Sequence, residues 1–164
     1  DPAGGHWLIG ATGALYTFGP TGNRPSVAVA STPAPVTLAA AQSTIGAGAR
    51  ALSFAEAQIG KPYLWGGSGP GAYDCSGLTQ SSWTAAGVPI PRLAASQYGQ
   101  GALLPVAAAA PGDLVFWSSN GAPSGIYHVG MALGNGQMID AAKPGTTVRV
   151  EAIWPGALPL ATQP

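Results

Sequence analysis

Asp74-Cys75-Ser76-Gly77-Leu78 is the stretch around which the rest of the chain organises itself. Cys75 is the one cysteine in 164 residues, and it stands where a helix should begin. From there Leu78, Ser82 and Ala86 recur on one helical face, and Gly87 and Pro89 supply the stop. The spacing therefore predicts a helix from Cys75 to about Ala86. Unpaired backbone N–H groups in a first helical turn favour negative charge, and hence the thiolate. The same groups suit an oxyanion forming on a carbonyl under attack. A second reading stays open beside this one, because a free cysteine is often an inert core residue.

Upstream, Ala51, Leu52, Ala55 and Ile59 recur at helical spacing, which predicts a helix over 49–59 stopped by Gly60 and Pro62. Downstream of Pro111-Gly112-Asp113 the period changes. Leu114 to Trp117, His128 to Leu133, Gln137 to Ala141 and Thr147 to Val150 are short, apolar and β-prone, and Gly134-Asn135-Gly136 reads as a tight turn. Helices first and strands second give an α+β domain with an antiparallel sheet. His128 opens one of these strands, where its ring can stand against the helix that carries Cys75. The other histidine, His6, lies far away in an N-terminal segment. A cysteine at a helix start facing a histidine on a strand is the papain-like pairing of nucleophile and base.

Four stretches in register then resemble the NlpC-type (p-sixty) cell-wall peptidases over residues 58–150. They are Gly60-Lys61-Pro62-Tyr63-Leu64-Trp65-Gly66-Gly67, Asp74-Cys75-Ser76-Gly77-Leu78, Pro111-Gly112-Asp113-Leu114-Val115-Phe116, and His128-Val129-Gly130-Met131 with Gly134-Asn135-Gly136-Gln137-Met138-Ile139-Asp140-Ala141. The resemblance implies a papain-like fold and hydrolysis of peptidoglycan stem peptides, commonly between D-glutamate (or D-isoglutamine) and a diamino acid. It implies a secreted, cell-wall location and no metal or organic cofactor. It maps the third catalytic member, a polar residue on the strand after the base, to Asp140. A hairpin turned at residues 134–136 would also bring Asp140 back beside His128. Asp74 competes for that role but reads as a helix N-cap, and Asp113 reads as a turn residue.

The same resemblance places the Tyr63 hydroxyl beside the nucleophile. The other reading of Tyr63 is a β-edge tyrosine with its tip in water. Trp65 reads as core or cleft wall, and Ser76 as a donor through its backbone N–H. Arg92 suits a carboxylate of the stem peptide, and it equally suits a solvated surface. In Pro91-Arg92-Leu93-Ala94-Ala95-Ser96-Gln97 the chain departs from the family, because Ala94 stands where a hydroxyl residue is expected. Two rival functions remain. One is an amidase cutting between sugar and stem peptide. The other is a catalytically silent wall-binding module, against which a complete Cys-His-Asp set argues.

Composition narrows the field further. Six Lys+Arg balance six Asp+Glu, with no basic patch, which argues against nucleic acid. Hydrophobic residues make up 46%, enough for a folded core despite few charges. No apolar run reaches the length of a membrane span, and no signal peptide is read at Asp1-Pro2. One cysteine and two distant histidines do not supply a zinc site. Residues 1–47 read as an appendage. His6 to Gly10 and Ala14 to Gly19 suggest a hairpin, and residues 20–47, rich in Pro, Ala, Ser and Thr, suggest a linker. A lone hairpin is barely stable, so 1–47 is expected to pack on the domain over 48–164 and partly to cover its cleft.

Overall fold

A computed structural model of the chain describes residues 6–9, 15–18 and 38–164. Two compact units divide the chain, Asp1–Pro35 and Val36–Pro164. In the first, β1 (His6–Ile9) pairs antiparallel with β2 (Leu15–Phe18), His6 lying opposite Phe18. The expected docking of residues 1–47 over the cleft lies outside the described residues.

The second unit opens with α1 (Leu38–Glu56). This helix begins earlier than the sequence pattern suggests and takes in residues 38–47, which read as extended linker. The correction has a simple cause. Ala39, Ala40 and Ala41 are strong helix formers, and a run of them looks like low complexity and like helix at once. The buried stripe is Ala47, Ala51 and Ala55, one turn apart, whereas Ile59 falls beyond the helix and is exposed. The stripe packs on α2 (Cys75–Ala85), and Arg50 Nη2 donates to the Ala86 carbonyl at 3.0 Å, closing the C-terminal end of α2.

Leu78, Ser82 and Ala86 are buried, as their common face requires, together with Trp83. Trp83 Nε1 donates to Gly112 O at 3.2 Å and pins the helix to the approach of the sheet. A single turn, α3 (Ala94–Gln97), follows. The sheet comprises β3 (Ala102–Pro105), β4 (Leu114–Ser118), β5 (Ile126–Ala132), β6 (Gln137–Asp140), β7 (Arg149–Ala152) and β8 (Leu160–Gln163), in the order β3-β8-β4-β5-β6-β7. Its ladders are antiparallel.

Alternation along β4 divides the core. Leu114 and Phe116 face the helices with Val129, Met131 and Ile139, while Val115 and Trp117 face the opposite side with Ala132, Met138 and Ala161. The last strand of the pattern is shifted: pairing with β6 runs from Arg149 to Ala152, not over 147–150. Residues 146–148 are engaged elsewhere. Tyr63 N–H donates to Thr146 O at 2.9 Å, Val148 N–H to Lys61 O at 2.8 Å and Gly60 N–H to Val148 O at 2.9 Å. That short ladder carries Tyr63 to the sheet end where the site lies.

Candidate active site

Cys75 begins α2, and Asp74 caps it. The Asp74 backbone is extended, and its Oδ1 accepts the Gly77 N–H at 2.7 Å. The amides of Cys75 and Ser76 have no acceptor among the described residues. A glycine is required at 77, since a Cβ there would lie 2.0 Å from Gly67 O. That close approach lets the 66–67 loop lie over the start of the helix. Gly66 N–H donates to Asp74 Oδ2 at 2.8 Å, and Arg92 Nη2 reaches the same oxygen at 2.5 Å.

Arg92 Nη1 also donates to Ser76 Oγ at 2.8 Å. Its guanidinium is thus more than a solvated surface charge: it is tied to the capping carboxylate and to Ser76 while its remaining surface lines the smaller cavity. Gln97 completes the clamp. Fully buried, it donates through Nε2 to Ser76 O at 3.0 Å and Pro91 O at 2.8 Å, and accepts from Thr79 Oγ1 at 2.8 Å. Ala94, at the position where a hydroxyl is expected, is buried.

On the sheet side, β5 carries His128, 3% exposed, on the face of Trp117, its partner in register. Nε2 lies 2.9 Å from Asp140 Oδ2, at the end of β6. Gly130 faces the same side of β5, where an added Cβ would meet the Met138 sulfur at 2.6 Å and the Asp140 Cβ only at 3.6 Å. With Nε2 taken, Nδ1 is the nitrogen left for Cys75, which lines the same cavity as the ring. Burial pushes the His128 imidazole down, but the hydrogen bonds to Asp140 and Cys75 and the charges of both push harder, and the ring is pushed up to about 9. At neutral pH it is an imidazolium held between two acidic partners. Asp140 itself is buried, and its Oδ1 has no partner among the described residues.

Two cavities meet at Cys75, one of about 700 Å³ and one of about 470 Å³, sharing Trp65, Cys75 and Tyr127. Tyr63 and His128 line the larger, and Ser76 and Arg92 the smaller. Tyr63 is half-buried there. Burial raises its phenol above the usual value, the charges of Cys75 and Asp74 add to this, and Arg92 opposes it. Trp65 is 83% exposed, so it is a cleft rim and not core. Asp140 lines neither cavity but stands behind His128.

Sequence reasoning missed Trp154, Lys143 and Arg149 of the larger cavity, as well as Tyr127, Ala142 and Pro144. Trp154 stacks on His128 with ring centroids 4.9 Å apart and planes 16° apart, and Trp117 packs against both. Nothing in Ile153-Trp154-Pro155 signals that contact. Lys143 and Arg149 left a trace, since two of the chain's six basic residues fall close after Asp140. Among the described residues no group of three or more His, Cys, Asp or Glu is arranged to hold a metal ion.

A cysteine at a helix start and a histidine–carboxylate pair on the facing antiparallel sheet define a papain-like cysteine peptidase fold. The NlpC/P60 family model matches residues 60–156, and the chain belongs to that family. It is 47% identical over 94 residues to the probable endopeptidase p60 of Listeria monocytogenes, covering 57% of this chain and 19% of that protein. It is 42% identical over 87 residues to the bifunctional muramidase/DL-endopeptidase CwlT of Bacillus subtilis, covering 52% of this chain and 26% of that protein. The chain thus spans about a fifth to a quarter of the length of these curated relatives. Among solved structures it resembles the NlpC/p60 domain of the peptidoglycan hydrolase SagA, with TM-score 0.64 and 38% identity, over 70% of this chain and 97% of that one.

Proposed function

We propose that the chain is a secreted peptidoglycan hydrolase, a cysteine endopeptidase cutting stem peptides between D-glutamate (or D-isoglutamine) and a diamino acid. The observation that carries the reading is His128, held through Nε2 by Asp140 at 2.9 Å and lining the same cavity as Cys75, so that Nδ1 is left to the thiol. The relatives' names, an endopeptidase, a DL-endopeptidase and a peptidoglycan hydrolase, support the substrate class. The larger cavity adds support, because Lys143 lines it without an acidic partner among the described residues, Arg149 being paired with Glu151, and a D-glutamyl residue acylated through one carboxyl still carries the other.

In the mechanism the Cys75 thiolate attacks the D-glutamyl carbonyl, forming the S–C bond and placing charge on oxygen. The amides of Cys75 and Ser76 are the donors suited to that oxyanion. Collapse breaks the C–N bond, and His128 gives its proton to the leaving amine. Water then loses a proton to His128 and attacks the thioester, releasing the carboxylic product and restoring Cys75. Asp140 holds the imidazole in the tautomer that faces Cys75 and stabilises its positive form. The Tyr63 hydroxyl stands beside the nucleophile, and Trp65 borders the peptide. No step requires a metal or an organic cofactor.

Mass spectrometry of muropeptides digested with wild type and with Cys75→Ala tests this. Wild type should yield fragments with a new diamino-acid amino terminus, and the variant none. Sugar strands freed of intact stems would mean an amidase. No change with either protein would mean a silent module.

A further inference from the structure

The acidic partners of His128 explain its charge but not what holds its ring or covers its face. Burial removes water from the imidazolium, and a desolvated cation needs a substitute on its π face as well as at its two nitrogens. We propose that Trp154 is a positioning residue for His128, its indole face fixing the imidazole in the Cys75–Asp140 line and stabilising the ring's positive charge.

The geometry is specific. Centroids 4.9 Å apart with planes at 16° are offset-stacked rings, close enough for the negative face of the indole to attract a cationic ring. Trp154 is itself held: Trp117 Nε1 donates to its carbonyl at 3.4 Å, and the Trp117 ring packs at 5.1 Å from it. Trp117 stands opposite His128 in the β4–β5 register and meets the same imidazole at 5.3 Å. The two indoles leave the ring little room to turn about χ2, and Trp154 presents its remaining surface to the cleft. The charged and titratable groups that face His128 are Cys75 from α2 and Asp140 from β6, and Tyr63, Tyr127, Lys143 and Arg149 stand around the same cavity. All of them are retained when Trp154 alone is changed.

The inference rests on the Cys–His reading of the site, so the test must tell the two apart. The full chain is prepared as wild type, Trp154→Phe, Trp154→Leu and Cys75→Ala. For each, kcat and KM on a stem peptide are followed against pH, and so is the rate of Cys75 alkylation without substrate. In Trp154→Leu the alkaline limb of kcat/KM should fall by about one pH unit, with the alkylation profile moving alongside. Its kcat should drop about tenfold while KM stays within about twofold. Trp154→Phe, which keeps a ring face of weaker quadrupole, should move the limb about half as far. A folded Trp154→Leu with an unmoved limb, or with its loss wholly in KM, overturns the proposal and leaves Trp154 a cleft wall. If Trp154→Leu does not fold, an unmoved limb in Trp154→Phe overturns it equally. Full activity in Cys75→Ala would instead defeat the reading of the site.

Discussion

The two cavities on either side of Cys75 use charge in opposite ways. In the smaller, Arg92 and Asp74 face each other, and the pair, with Ser76 and the Gly66 amide, fastens one loop to the start of α2. In the larger, the imidazolium of His128 faces the nucleophile, and Lys143 and Arg149 face the open space. The first arrangement fixes backbone, and the second leaves charge available to a reaction and to a ligand. Substitutions on the two sides should therefore differ in kind: stability and geometry on the Arg92 side, turnover, pH dependence and recognition on the His128 side.

The largest effect tests the reactive side outright. Cys75→Ala and His128→Ala should each lower kcat by at least about 10³-fold, since nucleophile and base act as a unit. Circular dichroism should find both folded. Comparable turnover by either purified variant would remove the mechanism.

Asp140 comes next. Asp140→Ala should lower kcat by roughly 10²-fold, whereas Asp140→Asn, which keeps an acceptor for Nε2–H, should stay within about tenfold of wild type. In both, the alkaline limb of kcat/KM should move to lower pH, because a partner that pushes His128 up to about 9 has been lost. The same sign governs stability. His128 is raised from 6.5 to about 9, so its pairing stabilises the native state fully below pH 6.5, and that stabilisation is lost as pH rises through 9. A wild-type rate and pH profile in Asp140→Ala would make it a structural acid.

How much of this was legible in the sequence follows the range of the interactions. The nucleophile helix could be read because its cap, its apolar face and its stop lie within one short stretch. The core strands β4, β5 and β6 could be read from apolar runs and the turn at 134–136. The edge pair β3 and β8 could not: β3 is mostly exposed, carries no alternation, and forms only because the distant chain end lies along it. Cys75, His128 and Asp140 were legible because a hairpin returns Asp140 to His128. The Arg92–Asp74 clamp and the Trp154 stack were not, since each joins loops that no local pattern relates.

On the architectural side, Arg92→Met should cost about 1–2 kcal/mol in urea unfolding, leaving the buried Asp74 carboxylate without its charged partner. Asp74→Ala should cost a similar amount through loss of the N-cap. Both should leave the alkaline limb of kcat/KM in place, since neither residue touches His128. A shifted limb in Arg92→Met would erase the distinction between the two sides.

The smallest effect is on recognition at the larger cavity. Arg149 is partly neutralised by Glu151, whose Oε2 accepts from Nε at 3.1 Å and Nη2 at 3.0 Å. Lys143 has no acidic partner among the described residues, and a turn holds its backbone in place, Thr146 Oγ1 donating to Lys143 O at 2.7 Å. Lys143 is exposed, so water and salt screen its pull on a substrate carboxylate. Lys143→Gln should therefore raise KM only about threefold, with kcat unchanged, for a stem peptide carrying D-glutamate. The same substitution should leave KM unchanged for the D-isoglutamine stem, which has an amide there, and the difference should fade in high salt. An equal rise for both stems would show that Lys143 shapes the cavity by bulk. No rise for either would place the free carboxylate away from this wall, and the contrast between the two sides of Cys75 would then rest on His128 alone.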